Sequence, residues 1–307
     1  MSKSAATSGY DALTGIYFER LNGGGPSVLW IHGGGATGAC FRGDLDGDNG
    51  WADALADAGF DCWVTDWPGT GRSGLIDPID VGYEQVVAGY RSFLRNVIGR
   101  PTIVISHSMG GATAWQLVEH ERELVVGVIA VASSYPANVA PQAEILSDDG
   151  RRVSATFTET GLHVEVDRER FYRYGDGYIE LQAYGTSTRL DRSRRREVEA
   201  RCSGIPPTMI LQRIGAVPGL PPVVSTDGFD GMPIKLISGP EDAAHTYEIE
   251  KRTIDLLKSW GADATLDWIA DRGISGNGHF MFWEDNAAEI GAIVVEHARS
   301  IASHIPE

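Results

Sequence analysis

Short apolar runs alternate with segments of helical period along most of this chain. Residues 27–35, SVLWIHGGG, form a continuous apolar run that ends in glycines. A run of that kind, bounded by turn residues, predicts a strand buried on both faces. Residues 60–66 (FDCWVTD), 102–106 (TIVIS), the β-branched stretch LVVGVIAVASS and residues 234–238 (IKLIS) predict further strands. Residues 14–21 predict an early strand and ATLDWIA a late one. Between these runs, residues 51–59, 83–98, 109–120, 247–260 and 286–302 read as helices, the second and last of them clearly amphipathic. Gly59 marks the end of the first. Buried strands separated by helices predict an α/β fold, with a mainly parallel sheet covered by helices on both faces.

The rhythm breaks once. From residue 135 to residue 230 no clear buried strand is visible, and the stretch carries Pro206-Pro207, Pro221-Pro222, scattered aromatics and an arginine-rich run at 189–201. Its place after one strand and before the next suits a cap or lid inserted into the sheet domain. The expected organisation is therefore a core of residues 1–134 and 231–307 with a cap of residues 135–230. In RLDRSRRREVEAR the arginines alternate with Asp191, Glu197 and Glu199, the pattern of a solvated helix face rather than of a surface for a polyanion.

The sharpest chemical signal is Ser106-His107-Ser108-Met109-Gly110-Gly111. A buried strand ends, a serine sits at the turn, small residues follow and a helix begins. This is the context of a nucleophile elbow, where the backbone turns so sharply that its neighbours must be small. The strict pattern is G-x-S-x-G, and here Ser106 stands at its first glycine. Ser106 is expected to pack within the turn, and Ser108 to be the nucleophile. A serine capping the following helix is the plainer reading of position 108, and the two are compatible, because a helix N-terminus favours developing negative charge.

A serine hydroxyl attacks only when a base removes its proton. Of the eight histidines, His279 stands out, in Gly276-Asn277-Gly278-His279-Phe280 between the last strand-like run and the last helix. His107 adjoins Ser108, but neighbouring side chains diverge at a sharp turn. His120, His163, His245, His297 and His304 read as solvated residues. An acid must orient the imidazole. The strand at 234–238 ends in Gly239-Pro240-Glu241-Asp242, which favours Asp242, with Glu241 as the alternative and Asp267 and Asp271 as weaker candidates. Both Glu241 and Asp242 also suit the start of the helix that follows. Finally, His32-Gly33-Gly34-Gly35 ends a strand. Glycines there let amides converge on an oxyanion, with Gly34 and Met109 as the donors, while His32 is expected to hold the loop. Trp67 and Phe280, together with Trp30, Phe282 and the cap aromatics Phe157, Phe171, Tyr172 and Tyr184, are candidates to line an apolar pocket, though each could equally be core packing.

Charge narrows the partners. The chain has 307 residues with 26 Lys and Arg against 42 Asp and Glu, a net charge of −16. Nucleic acid and anionic membrane surfaces are held by clustered cations, so neither is expected as a partner. The cap, however, carries Arg151, Arg152, Arg168, Arg170, Arg173 and the 189–201 run, so a small substrate bearing one carboxylate is not excluded. Cys40, Cys62 and Cys202 are dispersed, without metal spacing, and read as free buried thiols. The N-terminal residues lack the apolar stretch of a signal peptide, and no run approaches the roughly 18 residues of a membrane span. A cytoplasmic location, no metal and no organic cofactor are expected. A homo-oligomer is possible through the last helix or the cap.

The motifs HGGGATG, WPGTGRSG, SHSMGGAT, GPED and GNGHF occur in the order of the α/β-hydrolase superfamily, which the chain resembles over nearly its whole length, cap excepted. Residues 66–73 resemble that family's D-x-P-G-x-G-x-S loop. HGGG-x-TG with GNGHFMF is similar to a bacterial esterase group typified by esterase 713. Members of that group can place the acid after the sixth strand. Here that place, VASSYPAN, has no carboxylate, which returns the role to Asp242. The resemblance implies an ester or lactone hydrolase for a medium-sized apolar or aromatic small molecule. Position 108 is Ser, not the Asp of haloalkane dehalogenases and epoxide hydrolases or the Cys of dienelactone hydrolases. Amide or C–C bond hydrolysis on the same triad, and a non-catalytic ligand-binding protein of this fold, are the alternatives.

Overall fold

The apolar runs pair side by side in one eight-stranded sheet. The structure is a computed structural model, and it describes residues 6–74, 76–173 and 184–305. Strands β1 (Ala6–Tyr10), β2 (Tyr17–Asn22), β3 (Ser27–Ile31), β4 (Asp61–Thr65), β5 (Thr102–Ser108) and β6 (Val125–Ser133) precede the cap. The last two strands of this sheet, β10 (Pro233–Ser238) and β11 (Asp263–Trp268), follow it. The spatial order is β1-β2-β4-β3-β5-β6-β10-β11. β2 is antiparallel to both neighbours and the other pairings are parallel.

The central strands β3, β4 and β5 are buried almost end to end, which is why their sequences are continuous rather than alternating apolar runs. β1 was not visible in the sequence. Its residues are small or polar and mostly exposed, so it joins the edge through backbone pairing to β2 rather than through burial.

Helices α2 (Tyr83–Phe93), α3 (Gly110–His120) and α6 (Tyr247–Ser259) pack on one face, and α1 (Trp51–Asp57) and α7 (Ala287–Ala302) on the other. Residues 83–98, predicted as one helix, divide into α2 and a wider turn over Leu94–Ile98.

The stretch from 135 to 230 differs from expectation. It contains a separate three-stranded antiparallel sheet, β7 (Ala143–Asp148), β8 (Arg152–Phe157) and β9 (His163–Asp167), followed by α4 (Arg195–Arg201) and α5 (Pro207–Arg213). These strands escape a search for continuous apolar runs because β8 and β9 bury only one face and β7 is exposed along nearly its whole length. Val153, Ala155 and Phe157 point inward with Val164 and Val166, and the residues between them are polar or small. Residues 174–183 of the predicted cap lie outside the described residues. The inward side chains join Ile205, Met209 and Ile210 in the same apolar cluster that underlies α2 and α3. Ser203 fixes the cap to the β3 loop: its N–H donates to Gly35 O (2.7 Å) and its hydroxyl to Ala36 O (3.0 Å). In the arginine run, Arg194 pairs with Glu197 and Asp46, and Arg195 with Glu199, so these charges are balanced on the surface.

Candidate active site

Ser108 closes β5 in a backbone conformation that non-glycine residues avoid, with φ at 49°. Such a residue costs about 1–3 kcal/mol and persists only where its surroundings impose it. The surroundings here are identifiable. The β5–β6 register slips between His107 and Ser108. The Ser134 N–H donates to Ser108 O at 2.7 Å. The Ser106 and Ser133 hydroxyls lie 2.9 Å apart, and Ser133 donates to Ser106 O. Ser106 thus takes the packing role expected of it. Two glycines are required by close approach: a Cβ on Gly33 would lie 2.6 Å from Ser108 Cβ, and one on Gly110 would lie 2.7 Å from His32 O.

The turn presents the Ser108 hydroxyl to His279, with Oγ 3.0 Å from Nε2. On the other side of the ring, Nδ1–H donates to Asp242 Oδ2 at 2.7 Å. This bond fixes the tautomer whose Nε2 lone pair faces the serine. Asp242 comes from the loop after β10, where its Oδ1 also accepts the Ala244 N–H at 2.8 Å. Burial works against its charge, but His279, His245 and the Ala244 amide hold its carboxyl well below the usual carboxylate range. Glu241 points elsewhere and accepts from the Thr188 N–H at 2.7 Å. Asp267 pairs with Arg272 and His297, and Asp271 is exposed.

The histidine loop is clamped from two directions. The His107 ring, fully buried, donates from Nε2 to His279 O at 3.0 Å; burial keeps this imidazole neutral by pushing its pKa far down. Glu284, also buried, accepts from Ser187 Oγ (2.6 Å), Asn277 Nδ2 (2.6 Å) and the Gly278 N–H (2.7 Å). Burial raises its carboxyl to about 7 despite these donors. Glu284→Ala leaves those partners uncompensated, so a loss of about 2–3 kcal/mol in denaturant stability is expected. A loosened His279 is also expected to lower turnover by about 10²-fold. Unchanged turnover in a destabilised variant would show that Glu284 serves the fold alone.

Sequence reasoning missed His245, read there as a solvated residue. It is buried, its ring stacked on His279 with centroids 5.4 Å apart, and its Nδ1 lies 2.7 Å from Glu250 Oε1. Burial opposes its charge, yet Asp242 and Glu250 outweigh that and raise its pKa. A pairing with a glutamate five residues ahead, across the start of a helix, was the signal available. Asp242, His245 and His279 offer donor atoms within 4.8 Å of one another. They could hold a divalent cation only by giving up the Asp242–His279 bond.

His32 holds the glycine loop. Its Nδ1–H donates to Gly33 O (2.7 Å) and its Nε2 accepts the Trp67 N–H (3.0 Å). The bond from Trp67 needs the neutral ring, because a protonated Nε2 cannot accept, and burial lowers the pKa of His32 to about 4. A base with a depressed folded pKa is lost as a stabiliser on acidification. The stability advantage of the wild-type chain over His32→Gln is expected to shrink as pH falls from 6.5 to about 4. A pH-independent difference in denaturant midpoint would contradict this.

Trp67 and Phe280, expected near substrate, are placed elsewhere. Trp67 is buried with its indole stacked on His32 at 4.6 Å, and Phe280 is buried against His279 and Trp283. Neither borders the cavity beside Ser108. They are packing residues because the loops after β4 and before α7 fold back onto the core. Trp30 and Phe282 are buried against Phe41, while Phe171 and Tyr184 also lie off the cavity. The cavity has a volume of about 50 Å³. Ser108, Met109 and His279 form its floor. The cap supplies Phe157, Leu162, Val164 and Tyr172 from the β8–β9 region, and Ile210 and Arg213 from α5; Tyr135 and His245 close the side. Gly34 lies against the Met109 side chain, so the two expected oxyanion donors are neighbours.

The family model described as "Alpha/beta hydrolase family" matches residues 28–292. The chain belongs to this family. It is 24% identical over 331 residues to "Probable secreted lipase phiG" of Fungal sp. (strain ATCC 74256), covering 87% of this chain and 80% of that protein. Among solved structures, a thermophilic esterase from Thermogutta terrifontis is similar at TM-score 0.62 and 18% identity, with 97% of this α/β hydrolase and 99% of that chain covered. The haloalkane dehalogenase DbeA from Bradyrhizobium elkani USDA94 is similar at TM-score 0.60 and 16% identity, over 98% and 100% of the chains. Esterase and dehalogenase thus share this α/β-hydrolase fold, and the chemistry must be argued from the site. No helix among the described residues is long and apolar enough to cross a membrane.

Proposed function

We propose that this α/β hydrolase is a serine hydrolase that cleaves a carboxylic ester or lactone through an acyl-enzyme on Ser108. The observation that carries the reading is the continuous chain Ser108 Oγ–His279 Nε2 (3.0 Å) and His279 Nδ1–Asp242 Oδ2 (2.7 Å), at the floor of a cavity. Ser108 attacks the carbonyl as His279 takes its proton. The imidazolium, stabilised by Asp242, returns that proton to the leaving alcohol. Water then enters, gives a proton to His279 and releases the acid from Ser108. The Gly34 and Met109 amides are the donors for the oxyanion, each worth about 10²–10³ in rate.

The small cavity supports a short acyl group rather than the medium-sized apolar or aromatic molecule expected from the sequence. Its volume is about 50 Å³, which favours a narrow, unbranched acyl chain. The lipase and esterase names of the relatives agree with ester chemistry, and the closer likeness to esterase 713 is part of the same reading. The test is pre-steady-state hydrolysis of p-nitrophenyl acetate, with an expected burst of p-nitrophenol and an acetyl mass increment on the peptide containing Ser108. Turnover with the acyl group on another residue, or no ester turnover across acyl lengths, would refute it.

A further inference from the structure

A cation faces this cavity from the cap. Arg213 ends α5, and an arginine there would ordinarily reach solvent beside the last carbonyls of its helix. Instead it lines the same cavity as Ser108 and His279. Its Nη1 donates to Ser134 Oγ at 2.9 Å. The N–H of that same Ser134 donates to Ser108 O at 2.7 Å. The guanidinium and the backbone of the nucleophile are thus held by the same residue. Its carbon lies 5.8 Å from the Phe157 ring centroid, and the neighbouring wall is apolar, with Leu162 and Ile210.

Several arginines of the cap surface meet carboxylates: Arg168 pairs with Asp148, Arg194 with Glu197 and Arg195 with Glu199. Arg213 has no carboxylate within ion-pairing distance among the described residues. A guanidinium whose close partners, Ser134 and Tyr83, are both neutral still has donors for an anion, and a carboxylate fits its fork with two parallel bonds. In a chain of net charge −16, such a cation beside the nucleophile is a local exception to the overall field.

We propose that Arg213 is a specificity-determining residue that binds a carboxylate on the acyl part of the substrate, making the preferred substrate class the monoesters of short dicarboxylic acids. The proposal rests on the serine-hydrolase reading. Ser108 attacks the ester carbonyl, the C–O bond to the alcohol breaks, and the alcohol leaves with the proton from His279. The acyl-enzyme keeps its free carboxylate on Arg213 until water releases the dicarboxylate. Ser108 and Arg213 line one cavity, which favours a short chain between ester and carboxylate, and succinyl is the length tested.

The experiment compares monoethyl succinate with ethyl succinamate, its neutral isostere, and with ethyl butyrate, measuring released ethanol. The wild-type kcat/KM is expected to be about tenfold to a hundredfold higher for the monoester, the scale of a hydrogen bond to a charged group. Arg213→Met is expected to abolish that preference, lowering kcat/KM for the monoester by about tenfold or more relative to either neutral ester, and Arg213→Lys to restore part of it. Calorimetric binding of monoethyl succinate to Ser108→Ala and to Ser108→Ala/Arg213→Met reads the same contact without catalysis, with thermal melts confirming that both fold. Equal kcat/KM for the three substrates, an equal loss on all three in Arg213→Met, or the absence of Arg213-dependent binding would overturn the proposal. Arg213-dependent binding to a protein that hydrolyses none of the esters would leave Arg213 as an anion site and refute the hydrolase reading instead.

Discussion

Ser108→Ala is expected to lower ester turnover by about 10⁶-fold, the scale seen when the nucleophile of a serine–histidine–acid set is removed. The loss is large because His279 and Asp242 act only through the serine oxygen: without Oγ, the base has no proton to take and no acyl-enzyme forms. The fold should survive. Among the described residues, the Ser108 hydroxyl makes one side-chain hydrogen bond, to His279, and alanine keeps the Cβ that packs against Gly33. Labelling by a fluorophosphonate probe should vanish with activity, while the thermal transition stays close to that of the wild type. A Ser108→Ala protein that retains more than about 1% of turnover would place the nucleophile elsewhere.

Asp242→Asn is the second large effect. The amide is nearly the same size, but it can offer its NH₂ to Nδ1 of His279. That favours the tautomer with hydrogen on Nε2, which cannot accept the proton of Ser108. A fall of about 10⁴-fold in kcat is expected, with binding of the substrate largely retained. Glu241→Gln is the control. Its side chain serves Thr188 and not the imidazole, so turnover should change by less than about threefold. Reversal of the two outcomes would transfer the acid role to Glu241.

Much of the site was legible because each part sits at the end of a buried strand. The runs that become β3, β5 and β10 are continuous and apolar, and the glycines, serine and carboxylate that follow them mark where the backbone leaves the sheet. Asp242 and Glu241 are adjacent, however, and only side-chain direction separates them. Composition carries no such information. The wall of the cavity beside Ser108 was less legible for the same reason. Trp67 and Phe280 lie next to the motifs in sequence, yet their loops turn them into the core. The actual wall comes from one-faced cap strands whose inward residues are spaced two apart and from Arg213, which no motif flags. His245 was hidden because its partner Glu250 becomes its neighbour only once α6 has formed.

The inward face of the cap sheet and the apolar residues beneath α2 and α3 belong to one cluster. Among the described residues, one apolar cluster runs through both. Heat or denaturant should therefore melt the chain in a single cooperative step. A protease that nicks the cap would act on the equilibrium of the whole molecule rather than release a dispensable appendage. Exchange of one cap for another among relatives of this fold would then carry a thermodynamic condition: a grafted cap must complete the apolar surface over α3 before it can confer a new specificity.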